Sequence, residues 1–228
     1  MSVHSNATLY LAVIGDIKGS KQLEDRDNTQ IRLNDTLRLA NKRFANSIAS
    51  KFTITLGDEF QGLLHNSDHL FPILQEIERE MYPIHIRFGI GVGAITTKIN
   101  PNLAIGADGP AYYNARKAIE YLKQSEKKKQ TEAADIRIEA SGYNQLPTEL
   151  LNTILLLLTA IKQDWSTQQR QIIGNMLAHR DTQSNVAERM NIRQPTVQKS
   201  LSGGNYYAYQ EALSTLEKTL REVRWQHV

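Results

Sequence analysis

Two aspartates stand at the ends of apolar, strand-like runs, where paired carboxylates could hold a metal ion. Asp16 ends the run LYLAVIGDI at residues 9–17, and Asp58 follows Gly57 in TITLGDEFQG at residues 53–62. If the two strands are neighbours in one sheet, the carboxylates meet at one edge, where Mg²⁺ would relieve their repulsion. Such a pair is the protein half of a phosphoryl or nucleotidyl transfer site. The alternative is two ordinary Gly-Asp turns.

A short basic loop follows the first aspartate. Lys18 and Lys21 flank Gly19 and Ser20, so backbone N–H groups and ammonium charge could together receive an anion such as a phosphate. The loop lacks the spacing of a P-loop, and a solvated turn is the alternative. Asp108, further along the chain, is expected to cap a helix.

The elements that must position these residues follow from hydrophobic periodicity. The sequence predicts a strand, a helix, a β-hairpin, a helix, a strand, a helix and a last short strand. They span residues 9–17, 28–50, 51–64, 67–81, 84–95, 106–123 and 136–140. Glycines at alternate positions 89, 91 and 93 leave one face of the 84–95 strand bare, which indicates a close approach by another element.

This order predicts an α+β, ferredoxin-like sheet with helices, followed by an all-α helix-turn-helix domain. The charged run at residues 123–135 is expected to be a loop or a frayed helix end. Beyond residues 141–149 the pattern is helical throughout, so the predicted domains are 1–145 and 146–228. The uninterrupted apolar run at 154–158 indicates a helix that is buried on several sides or dimerises.

The C-terminal part has helix-turn-helix character at about residues 182–203. Asn191 can adopt the left-handed turn conformation, and Pro195 suits the first turn of a helix. The residue types exposed on the second helix can reach base edges and phosphates in a DNA major groove. They are Arg193, Gln194, Thr196, Gln198 and Lys199. A helical packing domain that never contacts DNA is the alternative.

Composition limits the other possibilities. The 228 residues include 40% hydrophobic and 22% charged residues, which is ordinary for a globular protein with a core. There is no cysteine, which excludes disulfides and thiolate metal sites and fits a reducing cytoplasm. The N-terminus does not read as a signal peptide, and the longest apolar run, 154–161, is too short to cross a bilayer. A net charge of +3 permits a nucleic-acid partner without requiring one.

Two stretches, VIGDIKGS and TLGDEFQGLL, resemble the metal-binding motifs of class III nucleotide cyclases and of the GGDEF palm of diguanylate cyclases. IRFGIGVGAI and GADGPAYYNARKA are similar to the later strand and helix of those domains. The similarity to cyclases covers about residues 8–140. With GDIKGSKQLEDR and GPAYYNARKAI, the whole chain resembles the SatD family of bacterial proteins.

The cyclase resemblance implies roles for individual residues. Asp16, Asp58 and the Ile17 carbonyl match ligands of Mg²⁺ or Mn²⁺, and Arg116 matches the arginine that steadies the transition state. Independently of the resemblance, the loop and the turn give Lys18, Gly19, Ser20 and Gly57 as the candidate nucleotide-binding residues. Glu59 either contacts a second metal or faces solvent, and Arg116 could instead make a plain ion pair.

The chain also departs from the cyclase pattern. Ile54 stands where adenylyl cyclases have a base-selecting Lys, and Tyr112 stands where the family has an Asn. Leu56 replaces the first glycine of the diguanylate signature. Metal and phosphate recognition is therefore better preserved than base recognition and catalysis.

Three hypotheses follow. The first is a DNA-binding regulator, expected to be a homodimer, in which a nucleotide or another phosphorylated small molecule is sensed and double-stranded DNA is bound. The second is an active nucleotidyl cyclase or phosphotransferase that uses two-metal chemistry at Asp16 and Asp58. The third is a structural or interaction protein in which both acids are turn residues.

Overall fold

The computed structural model describes residues 8–23, 25–128, 134–179 and 181–223. Five strands form one mixed sheet: β1 (Tyr10–Ile17), β2 (Ile48–Leu56), β3 (Glu59–Leu64), β4 (Ile86–Gly93) and β5 (Ile136–Glu139). Their order across the sheet is β2-β3-β1-β4-β5. All neighbours are antiparallel except β4 and β5, which are parallel. The first four strands have the predicted ferredoxin-like order, and β5 is added at the edge.

Three helices accompany the sheet, and five follow it. The first three are α1 (Arg26–Arg43), α2 (Leu70–Met81) and α3 (Pro110–Lys127). The others are α4 (Gln145–Gln163), α5 (Thr167–His179), α6 (Gln183–Arg189), α7 (Gln194–Gly203) and α8 (Tyr206–Glu222). Short 3-10 turns lie at Ser20–Gln22 and Ala45–Ser47. None of the described helices combines the length and the apolar character that crossing a bilayer requires.

The bare face of β4 receives α3, as the glycine spacing predicted. A Cβ added at Gly91 would lie 1.9 Å from the Ala111 carbonyl oxygen, and one at Gly89 would lie 2.4 Å from that of Ala115. Backbone therefore packs directly on backbone here. The opposite face of the sheet carries the larger core, to which α1 and α2 contribute Leu33, Leu37 and Phe71 among others.

The predicted helix at 28–50 is wrong at its C-terminal end. α1 stops at Arg43, and β2 begins at Ile48. Shifts in the β2–β3 register at Ser50 and near Thr53 break the two-residue alternation. The apolar spacing there consequently imitates a helix. Asn41 fixes the real arrangement, since its side chain both accepts from and donates to the Phe52 backbone at 2.8 and 2.9 Å.

Other boundaries differ less. α3 begins at Pro110 with Gly109 as its N-cap residue. The expectation that Asp108 caps this helix is wrong, since its carboxylate accepts from the Tyr113 hydroxyl at 2.7 Å. The charged run at 123–135 continues α3 to Lys127, and residues 129–133 lie outside the described part of the chain.

The C-terminal helices share one hydrophobic core with the larger face of the sheet. The cluster runs from β1 and α2 through Leu151 and Leu155 of α4 to Ile172 of α5 and Leu216 of α8. The proposed boundary near residue 145 stays a prediction.

Candidate functional site

The ends of three strands place the two predicted acids at one end of the sheet, where the strands terminate; we call this end the sheet edge. Asp16 lies opposite Glu59 of β3 and opposite Arg87 of β4. Asp58 occupies the turn just before Glu59, and its carbonyl oxygen accepts from the Ile17 amide at 3.1 Å. Asp16 and Asp58 thus lie at the same end of the sheet, while their metal-binding roles stay predictions.

Asp16 is a buried carboxylate held by two cations. It is 4% exposed. One oxygen accepts from Arg87 Nη1, and the other lies 2.7 Å from Lys123 Nζ. The two cations differ in freedom, because the Lys123 side chain is 41% exposed and that of Arg87 only 10%. The pairing offsets the large cost of burying a lone charge.

Arg87 is locked from its other side by α3. Its Nε and Nη2 donate to the two Glu126 carboxylate oxygens at 3.1 and 2.6 Å. Burial disfavours the charged form of Arg87, but the hydrogen bonds to Glu126 and the charge of Asp16 raise its pKa above the ordinary value. The same ion pair lowers the pKa of Glu126 against the opposing effect of burial. Arg87 and Glu126 therefore both carry full charge near neutral pH.

The basic loop folds against the hairpin turn. The Ser20 hydroxyl donates to an Asp58 carboxylate oxygen, so the two predicted motifs are in contact. Gly19 and Gly57 have φ of 64° and 54°, the left-handed region that glycine tolerates best. The Gly57 carbonyl accepts from Gln30 Nε2 at 3.0 Å. These glycines permit the tight approach of loop and turn.

The Lys18 side chain contacts two acids outside the hairpin turn. Its ammonium lies 2.8 Å from Asp135 and 3.1 Å from Glu126. Asp135 in turn contacts Lys162 of α4 at 3.1 Å. Burial alone would raise the pKa of Asp135, but the charges of Lys162 and Lys18 lower it below the ordinary value.

Arg116 makes a bidentate ion pair with Glu59. The two nitrogen–oxygen distances are 2.5 and 2.7 Å. The hydrogen bond to Glu59 raises the pKa of Arg116 above its ordinary value. Glu59 therefore does not simply face solvent, and its contact with a second metal stays a prediction. The catalytic role that the resemblance implies for Arg116 stays a prediction.

Sequence reasoning missed the cations that hold Asp16. Arg87 sits within the otherwise apolar strand IRFGIG, and an arginine on a buried strand is itself a signal, because such a group is seldom buried without a partner. Lys123 and Glu126 gave no such signal, since they begin a charged run that looked solvated.

The donor set was tested for the implied Mg²⁺. Within the described residues no cluster of three or more His, Cys, Asp or Glu side chains is arranged to hold a metal ion. Asp16 and Asp58 offer the carboxylates that Mg²⁺ takes together with phosphate oxygens and water. The donor types suit the ion, but one oxygen of Asp16 is held by Lys123, so an ion bound there would require the Lys123 side chain, which is 41% exposed, to move away.

Tyr112 belongs to the smaller hydrophobic core, between the sheet and α3. Its ring packs with Ala12, Ile14 and Leu63, and it is 7% exposed. The Tyr112 hydroxyl has no hydrogen-bond partner among the described residues, and burial raises its pKa. The position that is Asn in cyclases is thus occupied here by a core side chain.

The second candidate surface lies on α6 and α7. Thr182 caps α6 by accepting from the Asn185 amide at 3.2 Å. Asn191 takes the expected left-handed conformation with φ 52°, and Pro195 lies in the first turn of α7. Val197 and Leu201 face the core.

The residues predicted to contact DNA lie on the outer side of α7, with one exception. Arg193, Gln198 and Lys199 are exposed, but Thr196 is half-buried. Gln194 is exposed, and its amide donates to the Gln183 side chain of α6 at 2.6 Å. A separate helix-turn-helix domain and DNA binding stay predictions.

Comparisons with known proteins give one family. The sequence profile of the SatD family matches residues 10–215. No curated protein matches the chain in sequence.

Solved structures with a similar chain path have low identity. The catalytic core of a rhodopsin-guanylyl cyclase with converted specificity, in complex with ATPalphaS, is 16% identical with a TM-score of 0.40, covering 60% of this chain and 80% of that one. The guanylate cyclase domain of RhGC from Catenaria anguillulae, in complex with GTP, is 16% identical with a TM-score of 0.35, covering 50% and 73%. A regulator of polyketide synthase expression from Bifidobacterium adolescentis is 10% identical with a TM-score of 0.30, covering 94% and 86%.

Proposed function

The chain belongs to the SatD family, and we propose that it is a DNA-binding regulator whose sheet domain binds Mg²⁺ and a nucleotide as a sensor. The nucleotide phosphates and the ion would occupy the sheet edge at Asp16 and Asp58. The helices α6 and α7 would carry the DNA contacts.

One observation carries this proposal: an unbroken series of ion pairs leads from the sheet edge to the C-terminal helices. Its members, in order of contact, are Asp16, Arg87, Glu126, Lys18, Asp135, Lys162 and Glu78. Lys162 belongs to α4, and its side chain is 11% exposed. Because such pairs are poorly screened when buried, a change of charge at Asp16 has an electrostatic route to α4. That is what a sensor requires of the two parts.

Lys123 would act as the placeholder for the metal ion. Its ammonium lies 2.7 Å from an Asp16 carboxylate oxygen. Asp16 and Asp58 would hold Mg²⁺ once the Lys123 side chain has moved away, and Ser20 and the Gly19 amide would bind the nucleotide phosphates. Lys123 and Mg²⁺ then compete for the same carboxylate.

Calorimetry tests this competition. ATP and GTP are titrated with and without Mg²⁺ into wild type, Asp16→Asn, Asp58→Asn and Lys123→Met, with Lys117→Met on the same helix as the control. We expect binding that requires Mg²⁺ and is weakened at least tenfold in both Asp variants. Nucleotide binding to Lys123→Met should require a several-fold lower Mg²⁺ concentration, and the control should match wild type. Each variant is first checked for its circular dichroism spectrum.

Three outcomes would overturn the sensor. If both Asp variants bind nucleotide as wild type does, the two acids are ordinary turn residues. If wild type binds no nucleotide, nucleotide sensing is not its function. Release of pyrophosphate, measured over hours, would replace the sensor by an enzyme, in spite of the apolar residues at Ile54 and Tyr112.

DNA binding is tested by selection from a random duplex library at a fixed salt concentration, because phosphate contacts make affinity depend on salt. We expect an enriched motif that Arg193→Ala combined with Lys199→Ala abolishes. Arg38→Ala, an exposed arginine on α1, serves as the control and should keep the motif. If nothing is enriched, DNA has no place in the function.

A further inference from the structure

A cavity of about 600 Å³ lies between α2 and the C-terminal helices, away from the sheet edge. α5 and α8 form its other walls, and Lys162 at the end of α4 reaches into it. A volume of this size is within the range of small-molecule sites.

The walls combine rings with apolar side chains. Phe44 and Pro72 contribute from the sheet part of the chain, and Trp165 and Leu177 contribute from the helical part. Tyr82 adds a further ring beside Arg170. A ligand with an apolar body would therefore find contacts on several sides.

The charged groups of the cavity are mostly committed to one another. Lys162 contacts Glu78 at 2.5 Å and Asp135 at 3.1 Å. Arg43 contacts Glu76 at 2.6 Å. These pairs have little attraction left for a ligand.

Arg170 is different. Its Nη2 donates to the Lys162 carbonyl at 2.6 Å, and its guanidinium lies 5.5 Å from the centre of the Tyr82 ring. Within the described parts of the chain it has no carboxylate partner. A guanidinium has five N–H donors, so Arg170 keeps donors for an anion.

Gly174 gives independent support. It lies within α5 on the cavity wall, where glycine costs about 1 kcal/mol relative to alanine. A Cβ placed there would meet only the Arg79 side chain, at an ordinary 3.7 Å. Packing therefore does not demand glycine at this position, and a larger side chain here would extend from the cavity wall.

We propose that this cavity binds a small organic anion, with Arg170 holding its acidic group and the rings and aliphatic side chains enclosing its apolar body. The site is separate from the sheet edge, and the proposal stands whether or not a nucleotide binds there.

The test uses 1-anilinonaphthalene-8-sulfonate, a fluorescent aromatic anion, with decanoate and decanol as competitors on the full chain. We expect saturable fluorescence that decanoate displaces better than decanol. Arg170→Met should weaken the affinity for decanoate at least tenfold and the affinity for decanol little. Arg170→Lys should lose less of the affinity for decanoate. Gly174→Leu, which places a side chain on the cavity wall, should weaken binding of both, and Arg38→Met should match wild type.

Two further variants keep the result decisive. Gly174→Ala replaces Gly174→Leu if the larger side chain prevents folding, and it should weaken the dye in the same direction. Leu150→Ser removes an exposed leucine of α4 that could bind the dye unspecifically. If the signal depends on Leu150 and not on Arg170, or if all variants bind alike, the proposal is overturned.

Discussion

At the scale of single residues, the two cations that contact Asp16 contribute differently to the stability of the fold. Arg87 is buried and shared with Glu126, whereas Lys123 reaches Asp16 from solvent. Removing one partner of a buried pair leaves an uncompensated charge, and removing an exposed partner leaves one that water can reach. The structural cation and the exchangeable cation are therefore different residues.

Arg87→Met should destabilise the fold by about 3 kcal/mol, the lower end for a broken buried pair, because Lys123 and Lys18 still neutralise the stranded acids. Lys123→Met should cost about 1 kcal/mol or less. Urea unfolding measures both. Adding Asp16→Asn to Arg87→Met should recover part of the loss, and equal losses in the two single variants would contradict this assignment.

Asp135 makes stability depend on pH. Its pKa is lowered below 3.8 in the folded state, so its contribution is complete above pH 3.8 and is lost as the pH falls through the folded pKa. Asp135→Asn should be less stable than wild type at pH 7, and the difference in unfolding free energy should narrow below about pH 4. Thermal or urea unfolding from pH 7 to 3 measures it. A gap independent of pH would show that folding leaves the pKa of Asp135 unchanged.

At the scale of elements, the contact of α3 with β4 positions the whole site. α3 carries Arg116, Lys123 and Glu126, and it reaches the strand only because glycines 89, 91 and 93 present no side chain. Their spacing is thus the reason that α3 charges meet Asp16 and Glu59.

Gly91→Ala should destabilise by roughly 1–3 kcal/mol or more, since the new methyl group would overlap the Ala111 carbonyl. Gly174→Ala is the matched control, because space exists at that helical position and alanine is the better helix former by about 1 kcal/mol. Chemical denaturation should give opposite signs for the two. Tolerance of Gly91→Ala would mean that α3 does not pack as closely as described.

At the scale of the whole molecule, α4 is shared between two environments. Leu151, Leu155 and Leu158 face the common core. Leu150 and Leu157, exposed by 58% and 59%, lie on the other side of the helix, which is the stripe that a second copy would cover. These exposed leucines go against a helix buried on several sides, and the other alternative, dimerisation through α4, stays a prediction.

Leu150→Glu combined with Leu157→Glu should convert a dimer to a monomer, as measured by light scattering after size exclusion across a range of concentrations. Leu39→Glu, an exposed leucine of α1, should leave the mass unchanged. If wild type is monomeric at every concentration, or if the double variant keeps the dimer, α4 is not the interface.

Local patterns accounted for most of the fold and a small part of the site. The strand order followed from alternating strands and helices, the approach of α3 followed from three glycines, and the left-handed turn followed from Asn191. Each is a property of neighbouring residues. The wrong helix assignment at 44–50 arose where an irregular strand register hid the alternation.

The sequence by itself determined the ferredoxin-like order of the first four strands, the placing of Asp16 and Asp58 at strand ends, and the left-handed turn at Asn191, because backbone geometry ties these to short-range periodicity. Only the tertiary structure decided what the charges do. Arg87 and Asp16 are 71 residues apart and Lys18 and Asp135 are 117 apart. Such pairs depend on which surfaces pack together, and residue types along the chain do not encode that directly.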